Sequence, residues 1–356
     1  MSSRRAEERA RRRAARRRQL RRRRAVAGLG LAAVVVLVIA LLAGGEGGNR
    51  SAASRVHTRA ASGGSKIGGT ASVRVSGVRT GTLPAPVQDA AAVTVGPEGF
   101  LLMGGLNQAE ASVADILSAS ATGASRIGTL PTALHDASAS SVGGAAYLFG
   151  GGAVASFPEI TRVEASGGAQ PAGRLPTPAS DVATTTVNGT AYVVGGYTGQ
   201  SPLRTILAWR PGEAARVAGT LPKPLRYAAV ASTGGQIVIA GGTSGEAASR
   251  GVYRFDPQTG RLTALGLLPS PLTHAAAASV NGTVFVFGGR DSSSTSQTRR
   301  ILAILPDGRV KTVGALPQPL SDLAAVTLGG HIVLAGGRDR NGRVQDAILT
   351  MTVRSS

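Results

Sequence analysis

The 356-residue chain contains no cysteine, and aromatic residues make up only 3% of it. The absence of cysteine excludes disulfide scaffolds, thiolate metal sites and cysteine nucleophiles. The scarcity of aromatic residues, together with 50 glycines, argues against a helical bundle and indicates many tight turns. The four histidines show no metal-ligand spacing such as His-x-x-x-His, so we expect no metal site and no cofactor.

Positive charge is concentrated at one end of the chain. Of the formal net charge of +20, residues 1–24 carry +11, from thirteen arginines and two glutamates. A charge confined to one arm argues against a nucleic-acid-binding globule. Anionic lipid headgroups and nucleic acid are two candidate partners of this arm, but a role in fixing membrane topology explains it best.

Residues 25–43 are 19 consecutive uncharged residues, mostly Ala, Val, Leu and Ile. A helix of this length spans about 28 Å, close to the roughly 30 Å hydrocarbon core of a bilayer. With the arginine arm in the cytoplasm, the pattern predicts a single-pass signal-anchor helix and an extracytoplasmic domain beyond it. A cleaved signal peptide is the alternative, but the apolar core is longer than such peptides use, and residues 41–43 place Leu where a small residue is required. Residues 44–70, rich in Gly, Ser and Ala, predict a flexible linker.

Two short motifs recur six times beyond the linker. An apolar run ends in Gly-Gly with the first glycine at 104, 150, 195, 241, 288 and 336, and Leu-Pro recurs in phase at 83, 130, 175, 221, 268 and 316. The interval from Leu-Pro to Gly-Gly is 21 residues once and 20 residues five times, whereas the remaining interval varies from 25 to 28. One half of each repeat is therefore rigid, and insertions collect in the other half.

Each repeat has the pattern of four antiparallel strands. Asn-Gly at 188–189 and at 281–282 lies between apolar runs, which is the strongest short-range hairpin signal. Strands that are apolar at consecutive positions, such as YVVGG and VFVFGG, are buried on both faces, as when one sheet packs between two others. The sequence therefore predicts an all-β fold over residues 71–356, a six-bladed β-propeller of four-stranded antiparallel blades, preceded by the transmembrane helix.

The apolar-apolar-Gly-Gly strand, the Leu-Pro before the next innermost strand and the period together resemble kelch repeats. This resemblance implies a propeller that serves as a binding module. The chain differs from the family pattern in its aromatic residues, since Leu262 and Val310 stand where an outer-strand Trp is usual and Trp209 falls in a third strand. Copper-radical oxidases built on similar propellers need a Cys–Tyr crosslink, which this chain cannot form.

The ends of the repeat region predict how the ring of blades closes. The last repeat stops after its third strand, at residues 346–353, and residues 72–81 match the pattern of a fourth strand. We therefore expect residues 72–81 to complete the sixth blade beside the C-terminal strand and so remove an open sheet edge.

A polar residue stands six positions after the leucine of every Leu-Pro. This predicts a ring at the start of the innermost strands, around one mouth of the central channel, formed by Asp89, Asp136, Asp181, Tyr227, His274 and Asp322. The loops after Gly-Gly reach the same end and add Tyr197, Arg290 and Arg338. We take these nine residues as candidate ligand-binding residues. The alternative is that the aspartates serve the fold by capping backbone N–H groups.

From these patterns we predict a membrane-anchored, extracytoplasmic, non-catalytic binding module for a protein or glycan partner of the cell envelope. No catalytic motif such as Gly-x-Ser-x-Gly or Ser-x-x-Lys occurs, so no residue is assigned a catalytic role. A carbohydrate-active propeller enzyme, for example a hydrolase that uses the Asp, His and Tyr residues of the ring, is the second hypothesis. A cytoplasmic protein that binds nucleic acid through its basic arm is the third.

Overall fold

The computed structural model describes residues 73–245 and 247–355. The arginine arm, the segment 25–43 and the linker 44–70 lie outside the described residues, so the predictions made for them are not tested there. Among the residues that are described, no helix is long and apolar enough to cross a membrane.

The described residues form 26 β-strands. The first nine are β1 Val73–Thr82, β2 Ala91–Val95, β3 Gly99–Met103, β4 Val113–Ala119, β5 Ala124–Leu134, β6 Ser138–Val142, β7 Ala145–Phe149, β8 Glu159–Val163 and β9 Ala169–Arg174. The next eight are β10 Ala183–Val187, β11 Thr190–Val194, β12 Thr205–Trp209, β13 Arg216–Thr220, β14 Ala229–Thr233, β15 Gln236–Ala240, β16 Ser249–Asp256 and β17 Arg261–Leu272. The remainder are β18 Ala276–Val280, β19 Thr283–Phe287, β20 Arg300–Ile304, β21 Val310–Ala315, β22 Leu320–Ser321, β23 Ala324–Leu328, β24 His331–Ala335, β25 Arg338–Asp339 and β26 Ala347–Ser355.

The strands assemble into six four-stranded antiparallel blades. Blades 1 to 4 are the separate sheets β2–β5, β6–β9, β10–β13 and β14–β17. Blade 5 is β18–β21 and blade 6 is β23, β24, β26 and β1; a single parallel pair, Val75 with Gly314, joins these two into one sheet. The innermost strands β2, β6, β10, β14, β18 and β23 contact one another in a closed cycle. The prediction of an all-β, six-bladed propeller is therefore confirmed.

Blade 6 closes the ring by combining the first described strand, β1, with the last three strands of the blade, β23, β24 and β26. β1 pairs antiparallel with β26 from Val73–Ser355 to Thr82–Ala347, with one irregularity near Gly81. The predicted closure is confirmed, with the pairing beginning at residue 73.

The apolar core is divided into six clusters, one between each pair of neighbouring blades. Strand β11 is buried along its whole length because it packs on both faces, as its apolar sequence predicts. Trp209, at the end of β12, lies between blades 2 and 3, where its ring centroid is 4.9 Å from that of Tyr147 and 5.4 Å from that of Phe149. The single Trp thus fills one of the six spaces between blades.

The fourth strand of each blade carries a glycine two residues before the leucine of Leu-Pro. These outer-strand glycines are Gly81, Gly128, Gly173, Gly219, Gly266 and Gly314. A Cβ at Gly128 would overlap the carbonyl oxygen of Gly167 in the next blade, and one at Gly219 would overlap the ring of Phe255. Neighbouring blades therefore approach each other through main chain and ring edges, which explains why few large side chains are needed there.

The inner strands also carry hydroxyl side chains near the end of the channel remote from the Leu-Pro loops. The hydroxyl groups of Ser232, Ser279, Thr327 and Thr94 each donate to the carbonyl oxygen of the counterpart residue in the preceding blade, at 3.0, 2.7, 2.9 and 3.3 Å. These bonds connect blades 3, 4, 5, 6 and 1 in sequence. They stabilise the end of the channel that we call the far face.

Candidate functional site

The structure places the six polar residues that follow Leu-Pro side by side around the other end of the channel. We call this set the mouth ring: Asp89, Asp136, Asp181, Tyr227, His274 and Asp322. All six have a left-handed backbone, with φ between 53° and 61°, a conformation that Asp tolerates better than Tyr or His. The N–H group of each donates to the carbonyl oxygen of its counterpart in the preceding blade, at 2.8–3.3 Å. The six bonds form a closed circle of main chain.

The carboxyl groups of the mouth ring do not cap backbone N–H groups. In the described residues their donors are side chains: the guanidinium of Arg226 donates to Asp181 at 3.0 Å, and the hydroxyl of Tyr227 donates to Asp136 at 3.0 Å. The hydroxyl of Ser321 donates to Asp322 at 2.6 Å. In the described residues these carboxyl groups therefore accept from side chains and not from backbone N–H groups, which does not fit the capping interpretation; the main chain closes the ring through its own hydrogen bonds.

Burial makes the carboxyl groups hard to ionise. It raises the pKa of Asp89 well above its ordinary value, and the neighbouring carboxyl of Asp322 raises it further. Burial and the carboxyl of Asp181 likewise raise the pKa of Asp136 well above its usual range. The pKa values of Asp181 and Asp322 are also raised by burial, although Arg226 offsets part of the effect at Asp181 and the Ser321 hydroxyl part of it at Asp322.

His274 is held in one neutral form. Its Nε2 lies 2.9 Å from a guanidinium nitrogen of Arg290, which can only donate, so Nε2 accepts and Nδ1 carries the proton. Burial lowers the pKa of His274 well below its ordinary value, and the charges of Arg290 and Arg226 lower it further. The imidazole also stacks on the ring of Tyr227 with 3.7 Å between centroids. His274 therefore presents an uncharged N–H donor.

The mouth ring surrounds a cavity of about 190 Å³. Below the ring, the cavity wall is formed mainly by alanines of the inner strands, which let the strands approach the axis. Its volume is below the roughly 300–1,000 Å³ of pockets that bury a drug-sized ligand. The cavity therefore suits a single chemical group or one side chain.

The three other candidates lie on the rim, outside the cavity wall. Tyr197, Arg290 and Arg338 each pair through the main chain with the residue that precedes a mouth-ring residue. The guanidinium of Arg226 lies 4.5 Å above the centroid of Tyr197, and that of Arg338 lies 3.6 Å from the carboxylate of Glu110. The structure thus brings these three residues to the same face as the ring, one layer further out.

Comparison with known proteins agrees with this architecture. A family model for the Kelch motif matches residues 224–261, which include Tyr227 and most of blade 4. The solved structure of YjhT is similar over 77% of this chain and 99% of its own length, with a TM-score of 0.67 and 16% sequence identity. The chain is therefore a β-propeller of which one segment, residues 224–261, matches the Kelch motif. At that identity the likeness to YjhT shows the fold alone, and no curated protein matches the sequence.

Polar atoms without hydrogen-bond partners are concentrated at the mouth of the propeller. In the described residues, eight buried side-chain nitrogen or oxygen atoms have no hydrogen-bond partner within the protein. Six of the eight belong to mouth-ring residues or to residues beside them: Gln88 Oε1, Arg226 Nε, His274 Nδ1, Gln297 Oε1, Asp322 Oδ1 and Arg338 Nε. Buried polar groups in folded proteins are nearly always hydrogen-bonded to protein or to ordered water, so these atoms require partners from outside the protein chain, either water or a ligand.

Four residues beside the mouth ring were not among the candidates chosen from the sequence. Gln88, Arg226 and Ser321 directly precede mouth-ring residues, and Gln297 donates to the Ser321 hydroxyl at 3.3 Å. A signal for three of them exists, because the position before the ring is polar in every repeat: Gln88, His135, Ser180, Arg226, Thr273 and Ser321. Gln297 lies in a loop with no counterpart in the other repeats.

The side chains at the mouth are placed for hydrogen bonding rather than for metal coordination. In the part of the chain that the structure describes, no three His, Asp or Glu side chains are placed to hold a metal ion. The mouth offers carboxyl oxygens as acceptors, together with N–H donors of His274 and the rim arginines. Chemically it can bind a polar or charged group of matching shape.

Proposed function

We propose that this kelch propeller is a non-catalytic binding module that receives a group of a protein or glycan partner at its mouth ring. The observation that carries the proposal is the collection of buried, unpartnered polar atoms around the mouth. A buried polar group without a partner costs about 1–3 kcal/mol. Six such groups in one place are better explained by a ligand that satisfies them than by the needs of the fold.

We further propose that the helix predicted at residues 25–43 anchors the module in the membrane, with the propeller outside the cytoplasm. Support comes from the arginine arm before that segment and from the direction of the blade strands. Inner strands run from the mouth to the far face, so a fourth strand such as β1 begins at the far face. Residue 73, at the start of β1, therefore lies at the far face, opposite the mouth.

A photocrosslinking experiment tests the binding proposal. A photoreactive amino acid is placed in the full-length chain either at Val154, which is fully exposed in a mouth-face loop, or at Gln258, which is exposed in a far-face turn. We expect adducts in cells from position 154 only, and we expect Arg338→Ala to reduce them. Protease and glycosidase digestion of the adduct then separates a protein from a glycan partner. Equal adducts from both positions, or none from position 154, would contradict the proposal.

The anchor is tested by shaving intact cells with trypsin. The linker contains Arg50, Arg55, Arg59 and Lys66, so external trypsin should release the propeller into the medium. Permeabilised cells serve as the positive control. Protection of the chain in intact cells, with cleavage only after permeabilisation, would place the propeller in the cytoplasm and overturn this part of the proposal.

A carbohydrate-active enzyme is the second candidate function. The observation in its favour is that carboxyl groups with a raised pKa lie inside a cavity, which is the state that a general acid requires near neutral pH. This candidate requires turnover of a carbohydrate substrate that Asp136→Asn abolishes while the melting temperature does not fall. A binding module without turnover predicts no such activity.

A further inference from the structure

Among the described residues, the cavity wall inside the mouth carries four carboxyl groups and the neutral imidazole of His274, but no arginine or lysine side chain. Among the described residues, the guanidinium of Arg226 lies 3.0 Å from Asp181, and Nε2 of His135, whose pKa is lowered by burial, lies 3.6 Å from Asp136. No N–H group and no side-chain hydroxyl of the described residues donates to Asp89; its neighbours are the carboxyl groups of Asp322, Asp136 and Asp181, and it shares a hydrogen bond with Asp322 only when one of the two carboxyl groups is protonated. The interior of the mouth therefore has an excess of hydrogen-bond acceptors of one charge sign.

A second observation points to a missing group. The side chain of Asp322 is only 7% exposed, and its Oδ1 receives no hydrogen bond from an N–H or hydroxyl group of the described residues; Nε2 of His274, 4.0 Å away, is itself an acceptor. The side chain of His274 is 9% exposed, and its Nδ1 is unpartnered as well. Both residues line the cavity. The wall thus holds a buried acceptor and a buried neutral donor, both of which lack partners.

The nearby arginines do not supply the missing cation. Arg226 is engaged with Asp181, Arg290 donates to His274 at 2.9 Å, and Arg338 lies 3.6 Å from Glu110. None of the three lines the cavity. The charges of Arg290 and Arg338 lower the pKa of Asp322 from outside the cavity, but none of the three arginines donates a hydrogen bond to Asp89 or to Oδ1 of Asp322.

We infer that the mouth receives the cationic end of an arginine or lysine side chain from a protein partner, an inference that rests on the proposed binding function. Guanidinium and ammonium groups only donate hydrogen bonds, and a buried carboxyl group that gives up its proton beside such a cation only accepts them, so the two are complementary. A cavity of about 190 Å³ admits one side chain, not a folded segment. A backbone carbonyl beside the basic residue accepts from Nδ1–H of His274, which an isolated amine or a metal ion does not do.

A matched pair of probes tests the inference without any substitution in the protein. Blocked arginine, N-acetyl-arginine methylamide, and its citrulline counterpart have nearly the same shape, but only the first is charged. NMR titration of the full-length chain at pH 8 should show saturable binding of the arginine probe and at least tenfold weaker binding of the citrulline probe. Equal affinity for the two, or no saturable binding of the arginine probe, would overturn the inference.

Variants of the ring locate the binding. Asp89→Asn and Asp322→Asn should each weaken the arginine probe at least tenfold, whereas Asp307→Asn, in a far-face turn, should leave it unchanged. Asn fits the left-handed backbone of the ring, so folding is retained. Binding that neither ring variant weakens would show that the cation binds elsewhere. Crosslinking from the mouth without binding of the arginine probe would support the proposed binding function but contradict the inference that the bound group is an arginine or lysine side chain.

Discussion

Each position of the mouth ring serves two separate ends. The main chain closes the circle of blades in all six repeats, whether the residue is Asp, Tyr or His. Tyr227 and His274 adopt the same strained left-handed φ as the aspartates. The conformational preference of the backbone therefore does not explain why Tyr and His stand at these two positions. The side chains are therefore free to define the chemistry of the mouth.

At this scale we predict that Asp89→Asn stabilises the protein at neutral pH. The raised pKa means that the native state binds the Asp89 proton more tightly than the unfolded chain does, so wild-type stability falls as pH rises through that pKa. Asn cannot ionise and escapes this loss. The melting temperature at pH 7 should rise by about 2–4 °C, the shift that roughly 1 kcal/mol gives in a large domain.

The pH dependence of this effect provides its control. The gain should shrink as the pH is lowered and vanish below the ordinary Asp pKa of 3.8, where the carboxyl group is protonated in both the folded and the unfolded state. Asp307→Asn should not stabilise, because the N–H of Arg309 donates to that carboxylate and lowers the pKa of Asp307. A fall in melting temperature for Asp89→Asn at pH 7 would mean that the carboxylate serves the fold.

At the scale of strands and blades, small residues allow close packing. Alanines let the inner strands crowd the channel, and outer-strand glycines let neighbouring blades touch through main chain. Trp209 is the exception that fills its space with a large ring. The blades are held together by fit at many small contacts rather than by a few large side chains.

We predict that Gly128→Ala destabilises the propeller, whereas Gly123→Ala in the same blade does not. A Cβ at Gly128 would overlap the carbonyl oxygen of Gly167, which is main chain and cannot rotate away, whereas a Cβ at Gly123 would meet nothing within 4 Å. Overpacking of this kind costs about 1–3 kcal/mol. Thermal unfolding of both variants measures the difference. Equal melting temperatures would show that the blades separate readily at this joint.

The strands and their order could be predicted from the sequence because the repeat fixes them. Gly-Gly and Leu-Pro mark the same points in all six blades, and residues 72–81 complete the pattern of blade 6. The recurrence of Gly-x-Leu-Pro is also visible in the sequence. The reason for its glycine, however, is the close approach of Gly167 to Gly128 and of Phe255 to Gly219 across neighbouring blades, which no local sequence pattern shows. In the same way the ring could be located by spacing, while the donors to Asp181 and Asp136 required coordinates.

For the molecule as a whole, closure depends on β1. This strand adds the fourth member of blade 6 and contacts blade 5 through Val75 and Gly314. Without β1, β26 would be an open sheet edge, and blades 5 and 6 would lose the contact between their outer strands.

We predict that replacing residues 72–81 by a Gly/Ser segment of equal length lowers the melting temperature by roughly 10 °C or more, since several kcal/mol are lost and each shifts the midpoint by about 2–4 °C. Calorimetry of the full-length chain measures this. A Gly/Ser replacement of residues 50–59, before the first described strand, is the control and should change nothing. Retained stability in the first variant would show that the ring closes without β1.

The position of β1 has a mechanical consequence. The nine residue pairs between β1 and β26 bond at right angles to the strands, and residue 73 lies at the far face. A pull on residue 73, with the mouth held by its partner, would act along β1 and load these bonds together rather than one after another. In the proposed membrane-anchored protein, the strand that completes the ring of blades would therefore also carry the tension between the anchor and a partner bound at the mouth.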